Sequence, residues 1–242
     1  MHMEYSHLKA MCHLSQPYDN DEVVIRADGY IRINDGAHVS ILFVETPFNY
    51  PMDWLLYKKR VMEFIRVNPG EPIELTIEEA NSDYRQVTLE QAGNTMSYEF
   101  ENGLLVRDTF KVPNLPHLCV MEYVTPEYFV RRLNSAGVDN DYIGIKRING
   151  EIQMLTFDES EFVSATMKMR VIERDKYPFD HVYYSIPYLK SAGICLKRVH
   201  STLKCNGIVR FEFGDEYPCS LSMDTPIGEI FIYIAPRIVE EA

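Results

Sequence analysis

One hairpin signature occurs twice in this chain, half a chain apart. Asp28-Gly29-Tyr30-Ile31-Arg32-Ile33 is matched by Asn149-Gly150-Glu151-Ile152-Gln153-Met154, so Gly29 and Gly150 stand 121 residues apart in a chain of 242. An Asx-Gly pair between alternating apolar runs predicts a tight turn between two strands. The surroundings repeat as well. In the first half, a weakly helical Ser6–Ser15 precedes strands at Val23–Arg26, Tyr30–Ile33 and His38–Val44. A helical period then runs over Asp53–Arg66, followed by strands at Ile73–Glu78, Arg85–Gln91 and Thr95–Glu101. In the second half, a helix at Pro126–Ser135 leads to strands at Tyr142–Ile148, Glu151–Phe157 and Phe162–Arg170. A helix at Pro187–Lys204 leads to strands at Gly207–Phe213, Cys219–Met223 and Gly228–Ile234. Two helix-and-strand units in one order predict an internal duplication. Residues 104–117 hold Pro113 and Pro116 and show no period, which reads as a linker. The expectation is an α+β chain of two similar domains, 1–103 and 118–242, with 104–117 connecting them.

Several function classes lack support. No apolar run approaches a membrane span, and Met1–His7 has neither the basic nor the apolar region of a signal peptide. Cys12, Cys119, Cys195, Cys205 and Cys219 are scattered, odd in number and form no Cys-x-x-Cys pair. They read as reduced thiols of an intracellular protein, not as a metal site. There is no phosphate-binding or dinucleotide-binding glycine motif, and His7 and His13 lack a helical ligand spacing. Asp139-Asn140-Asp141 lacks the glycine and the distal glutamate of a calcium loop. No catalytic set, cofactor or metal is expected.

The formal net charge is −12, which taken alone argues against nucleic acid. Its distribution reverses that argument. The four helical stretches, residues 6–15, 53–66, 126–135 and 187–204, contain eleven bases and three acids, a net of +8, so the rest of the chain carries −20. On a helical wheel Lys190, Lys197 and Lys204 form a ridge beside the apolar stripe of Leu189, Ala192, Leu196, Val199 and Leu203, with Arg198 further round. Lys59, Arg60 and Arg66 oppose Trp54, Val61 and Ile65, while Lys58 falls toward the apolar side and snorkels. Arg131 and Arg132 oppose Phe129, Val130 and Leu133. Solvated lysines explain any one such helix; they explain less well why every helix is basic in an acidic chain. A basic lining suits a phosphate backbone, which it follows without reading bases. The candidate DNA-binding residues are Lys9, Lys59, Arg60, Arg66, Arg131, Arg132, Lys190, Lys197, Arg198 and Lys204. Apart from Tyr128 these faces carry no aromatics, so stacking on single strands is not expected.

Four short motifs carry a family resemblance. The C-terminus runs Ile230-Phe231-Ile232-Tyr233-Ile234-Ala235-Pro236-Arg237-Ile238, then acids. Asp35-Gly36-Ala37-His38-Val39 opens a strand, Phe110-Lys111-Val112-Pro113 lies in the linker, and Phe213-Gly214-Asp215-Glu216-Tyr217-Pro218 precedes the penultimate strand. Together they resemble the sliding DNA clamps of the proliferating cell nuclear antigen family, the archaeal ones especially. The chain departs from that pattern in a nearly absent first strand, a shortened Pro47–Pro51 segment and a short acidic stretch before Tyr183.

The resemblance implies a ring of three chains closed head to tail, with the helices lining a channel around duplex DNA. It implies a non-enzymatic processivity factor that tethers polymerases and repair enzymes; the alternative is a subunit of a heterotrimeric checkpoint-type or viral clamp. A third reading, an α+β enzyme, has no visible site. Partners would include a clamp loader and enzymes that dock by a short apolar peptide in a pocket of His38, Ile41, Phe110, Val112, Pro218, Ala235, Pro236 and Ile238. Neighbouring chains would pair Thr95–Glu101 with Phe162–Met169, using Thr95, Ser97 and Glu99 against Phe162, Ser164, Thr166 and Lys168.

Overall fold

Alternation of apolar and polar residues builds most of this molecule as antiparallel sheet. A computed structural model describes residues 1–15, 18, 20–34, 39–107, 120–135, 141–157, 163–173 and 179–238. The first half contains β1 (His2–Met3), α1 (Tyr5–Leu14), β2 (Glu22–Ile25), β3 (Tyr30–Asn34), β4 (Ser40–Glu45), β5 (Trp54–Tyr57), α2 (Lys58–Ile65), β6 (Ile73–Glu79), β7 (Tyr84–Gln91) and β8 (Asn94–Glu101). A 3-10 turn at Asn102–Arg107 follows. The second half contains β9 (Val120–Val124), α3 (Pro126–Ser135), β10 (Tyr142–Ile148), β11 (Glu151–Phe157), β12 (Val163–Lys168), β13 (Val171–Glu173), β14 (His181–Ser185), α4 (Ile186–Leu203), β15 (Val209–Phe213), β16 (Cys219–Thr225) and β17 (Gly228–Ile234).

The strands form three sheets, ordered β1-β6-β7-β8, β12-β11-β10-β14 and β13-β9-β15-β16-β17-β4-β3-β2-β5. The long sheet is two four-stranded units joined edge to edge, with β13 added at one end. Its β9-β15-β16-β17 part repeats the order of β1-β6-β7-β8, and its β4-β3-β2-β5 part repeats that of β12-β11-β10-β14. The join is β17 against β4, paired from Glu229↔Glu45 to Ile234↔Ser40. Gly29 and Gly150, the two turn glycines of the repeat, have φ of 87° and 81°.

One face of the long sheet is mainly apolar, with Ser40 and Glu122 as buried polar members. Ile31, Ile33, Leu42, Val44, Phe211, Leu221, Ile230, Ile232 and Ile234 on it are all buried. The helices gather on that side, α4 against α1 and α3, and α1 against α2. Pro126 opens α3 where its missing N–H costs nothing, and Thr125 Oγ1 accepts the Tyr128 N–H at 3.2 Å.

Two expectations are corrected here. The helix expected over Asp53–Arg66 begins only at Lys58, because Trp54–Tyr57 forms β5 on the edge of β2. Trp54, Leu55 and Leu56 are all buried, and a short run that is apolar on every side has no period to distinguish strand from helix. Asp53 then serves the strand connection: its carboxylate accepts from Arg26 at 2.9 Å and from the Ala27 N–H at 2.8 Å. Lys204, expected in the helical ridge, is the C-cap of α4 in the left-handed conformation, φ 49° and ψ 36°. Strands β5, β9, β13 and β14 were not foreseen. The Asp35-Gly36 turn and residues 108–117 of the linker lie outside the described residues.

Gly228 sets how closely the two halves approach. Its φ is 114°, and a Cβ there would lie 2.1 Å from the Glu45 carbonyl oxygen. Gly228→Ala should therefore cost about 2 kcal/mol or more of unfolding free energy, from strain and from an opened β17–β4 pairing. Urea denaturation measures it, and an unchanged midpoint would contradict this account of the seam.

Candidate functional site

The basic residues lie on the helices, as far as the helices extend. Lys59, Arg60, Arg66, Arg131, Lys197, Arg198 and Lys204 are exposed, while Lys9 and Lys190 are half-buried. Several rest on aromatic rings: Lys9 Nζ lies 5.5 Å from the Tyr5 ring, Arg60 5.3 Å from Tyr57 and Arg131 5.6 Å from Tyr128. Such contacts hold the side-chain stems while leaving the charge accessible.

The structure brings part of this set together across the two halves. Lys58, Lys59 and Arg66 of the α2 region meet Arg198 of α4 and His13 of α1 around a cleft of about 380 Å³, with Glu63 the carboxylate in its lining. Lys59 is 3.1 Å from Asp21, and Lys58 donates to the Asn20 carbonyl at 3.1 Å. Among the described residues Arg66 and Arg198 have no ion-pair partner, so their charge is available to an anion. Lys58 and His13 were not foreseen as members of this group, because convergence between α1, α2 and α4 has no sequence signal.

Arg132 leaves the set. Its side chain is only 4% exposed and lies 2.7 Å from the equally buried Glu122. The sequence placed it on the polar arc beside Arg131, but α3 turns that position toward β9, where Glu122 awaits it. The Glu122 carboxylate also accepts the Arg170 N–H at 3.4 Å. Removing one member strands a buried charge, so Arg132→Ala and Glu122→Ala should each destabilise by about 3–5 kcal/mol, while exposed Arg131→Ala should cost under about 0.5 kcal/mol. Urea midpoints of the three variants check this; equal, small losses would make the pair a surface contact.

The tail forms a second locus. The Ala235 N–H donates to the Val39 carbonyl at 2.8 Å, and the Arg237 N–H to the Tyr183 carbonyl at 2.8 Å. The Arg237 guanidinium stands 4.6 Å from the Tyr142 ring. A cavity of about 360 Å³ opens beside Pro236, Arg237 and Ile238, walled by His181, Val182, Tyr183 and Glu216. Ile238 is 92% exposed, an apolar side chain with no cover of its own. Ile41 lies directly opposite Tyr233 on the outer face of the long sheet; the half-buried Pro218 and Ala235 flank the Cys219↔Ile234 pair at the same end of β16 and β17. His38, Phe110 and Val112 lie outside the described residues. Sequence reasoning missed Tyr233, Tyr183 and His181; Tyr233 alone had a signal, as an outward position of an alternating strand.

The strands expected at the subunit interface are both sheet edges. β8 ends one sheet and β12 another. Thr95, Ser97 and Glu99 are exposed on β8, Thr166 and Lys168 are exposed on β12, and Ser164 belongs to β12. Lys168 makes an ion pair with Glu151 of the adjacent strand. Phe162 lies outside the described residues.

Burial pushes the Cys12 and Cys195 thiols up to about 12, so both remain protonated and inert. Among the described residues no group of His, Cys, Asp or Glu is arranged to hold a metal ion. No helix among them is long and apolar enough to cross a membrane.

No family model matches the sequence, and no curated protein matches it significantly. Solved structures do match. A PCNA from A. fulgidus bound to the C-terminal region of FEN-1 superposes with a TM-score of 0.75 at 15% identity, over 99% of this chain and 98% of that one. Proliferating Cellular Nuclear Antigen from Entamoeba histolytica gives 0.71 at 13% identity, over 98% of each chain. A PCNA2–PCNA3 complex from Sulfolobus tokodaii gives 0.70 at 16% identity, over 98% and 99%. The chain has the sliding-clamp fold. The basic cleft is lined by residues of α1, α4 and the α2 region, and the tail cavity by β14 and the segment after β17.

Proposed function

We propose that this chain is a sliding clamp: a non-enzymatic ring of three copies that encircles duplex DNA and tethers replication and repair enzymes. One observation carries the reading. Both halves use the same two sheet orders, and within the chain β17 of one unit pairs with β4 of the next. The repeat makes β8 the counterpart of β17 and β12 the counterpart of β4, and both are unpaired edges among the described residues. Pairing β8 of one copy with β12 of the next repeats the internal seam between chains. A head-to-tail contact of this kind closes into a ring when the rotation permits. It also protects two edges that otherwise invite uncontrolled association.

In that ring the domains are 1–103 and 118–242, with 104–117 as the connector. The helices face inward, and Lys9, Lys59, Arg60, Arg66, Arg131, Lys190, Lys197, Arg198 and Lys204 meet phosphates. Partner peptides dock at the tail, against Ile41, Pro218, Ala235, Pro236, Ile238 and the connector's Phe110 and Val112, with His38 at the rim. An acidic exterior repels DNA, so the duplex is retained by topology and weak inner contacts.

Sedimentation tests the ring. The chain should run at three times 28.2 kDa. Ala165→Pro, which removes an N–H from edge strand β12, should yield folded monomer by circular dichroism and sedimentation. A trimer that survives this change places the interface elsewhere. DNA contact is tested separately. Replacing Arg66, Lys197 and Arg198 together by alanine should leave the trimer intact but flatten the slope of log affinity against log salt by about 3. An equal effect from three substitutions on the sheet side would remove the lined channel.

A further inference from the structure

The outer face of the long sheet carries a second concave site, away from the tail. Cross-strand register sets its side chains in rows. One row runs Tyr123, Arg210, Ser222, Phe231, Phe43 and Arg32 across six adjacent strands. The next row sets Asp224 opposite Glu229 and Glu229 opposite Glu45. Like charges directly opposite on neighbouring strands destabilise a sheet. Arg210 answers them only in part: it donates to Glu229 at 3.2 Å, and its Nε stands 3.2 Å from a further carboxylate, Glu212. Burial, and then the charge of Asp224, push the Glu229 carboxyl above the usual carboxylate range.

Where the two rows meet β15, a cavity of about 490 Å³ opens. The loop after α4 and the β16–β17 turn wall it. That turn is braced: Thr225 Oγ1 donates to the Gly228 carbonyl at 2.7 Å and accepts the Ile227 N–H at 3.2 Å. Ser222 lines the cavity and, as a residue, is only 2% exposed. On the rim Tyr123 and Ile208 are 53% and 54% exposed. The site thus combines surplus negative charge, a serine hydroxyl in its wall and two bare apolar side chains in a preformed hollow.

We propose that this hollow is a docking site for a protein segment in which arginine or lysine adjoins an aliphatic residue. The cation sits between Asp224 and Glu229 and donates to the Ser222 hydroxyl, while the aliphatic group packs on Tyr123 and Ile208. The sign of the charge excludes a nucleic-acid phosphate. The site lies beyond the peptide pocket at the tail and does not depend on it.

Two fluorescein-labelled nonapeptides of equal aliphatic content, one with two arginines flanking a leucine and one with glutamates in their place, test this by anisotropy on the full chain. The arginine peptide should bind and the glutamate peptide should not. Asp224→Asn with Glu229→Gln should weaken binding about tenfold, and Ile208→Ser should weaken it as well. Glu74→Gln with Glu78→Gln removes the same charge from exposed positions of β6 and should change nothing. Val112→Ser with Ile238→Ser, aimed at the tail pocket, should also leave it unchanged, and all variants should keep the parent's oligomeric mass. Failure of the arginine peptide to bind overturns the proposal. So does equal weakening by the Glu74 and Glu78 changes, which would reduce the effect to net charge. Loss through Val112→Ser with Ile238→Ser would move the contact to the tail pocket.

Discussion

Backbone pairing of β17 with β4 is the contact on which the rest of this structure depends. Six residue pairs, from Glu229↔Glu45 to Ile234↔Ser40, fuse two four-stranded units into one long sheet. The pairing puts Ile230, Ile232 and Ile234 on the same face as Leu42 and Val44, so one apolar layer spans both halves. A one-residue slip of β17 against β4 would turn Ile230, Ile232 and Ile234 to solvent, which fixes the register firmly. Because β17 and β4 are used up internally, their counterparts β8 and β12 are left as edges. The proposed ring follows from that asymmetry.

The same layering sorts the charge. Helices cover the apolar face, so their outer arcs form one side of the molecule, and the strands' outward positions form the other. Arg66 and Arg198 come from opposite halves, yet they line one cleft because α2 and α4 both pack against the α1 region. The sheet side instead carries rows such as Asp224, Glu229 and Glu45. The duplex contacts of the proposed ring are therefore confined to the helical side. Arg132 shows the limit of counting charges, since its guanidinium is spent within the fold on Glu122.

Much of the fold was legible because its signals are local. The Asp28-Gly29 and Asn149-Gly150 turns, the alternation in β6, β7, β8 and β17, and the long amphipathic α4 each announce themselves within ten or twenty residues. β5 was misread because Trp54–Tyr57 is apolar on every side, and β13 was missed because three residues hold no pattern. Of the site, the basic helix positions and the tail were visible as residue types, whereas the hollow beside Tyr123 and Ile208 was not.

By itself the sequence determined the α+β composition, the duplication and the bias of positive charge toward helices, since each depends on periodicity and on residues near one another in the chain. Tertiary structure alone decided which strands are edges, which base is buried and which side chains share a hollow. Those outcomes depend on register and packing between segments as distant as β4 and β17. Glu122 and Arg132 are ten residues apart, yet only the crossing of α3 over β9 makes them a pair. Asp224 and Glu45 share a row only because backbone hydrogen bonds align the consecutive strands β16 and β17 with β4, which lies in the other half of the chain.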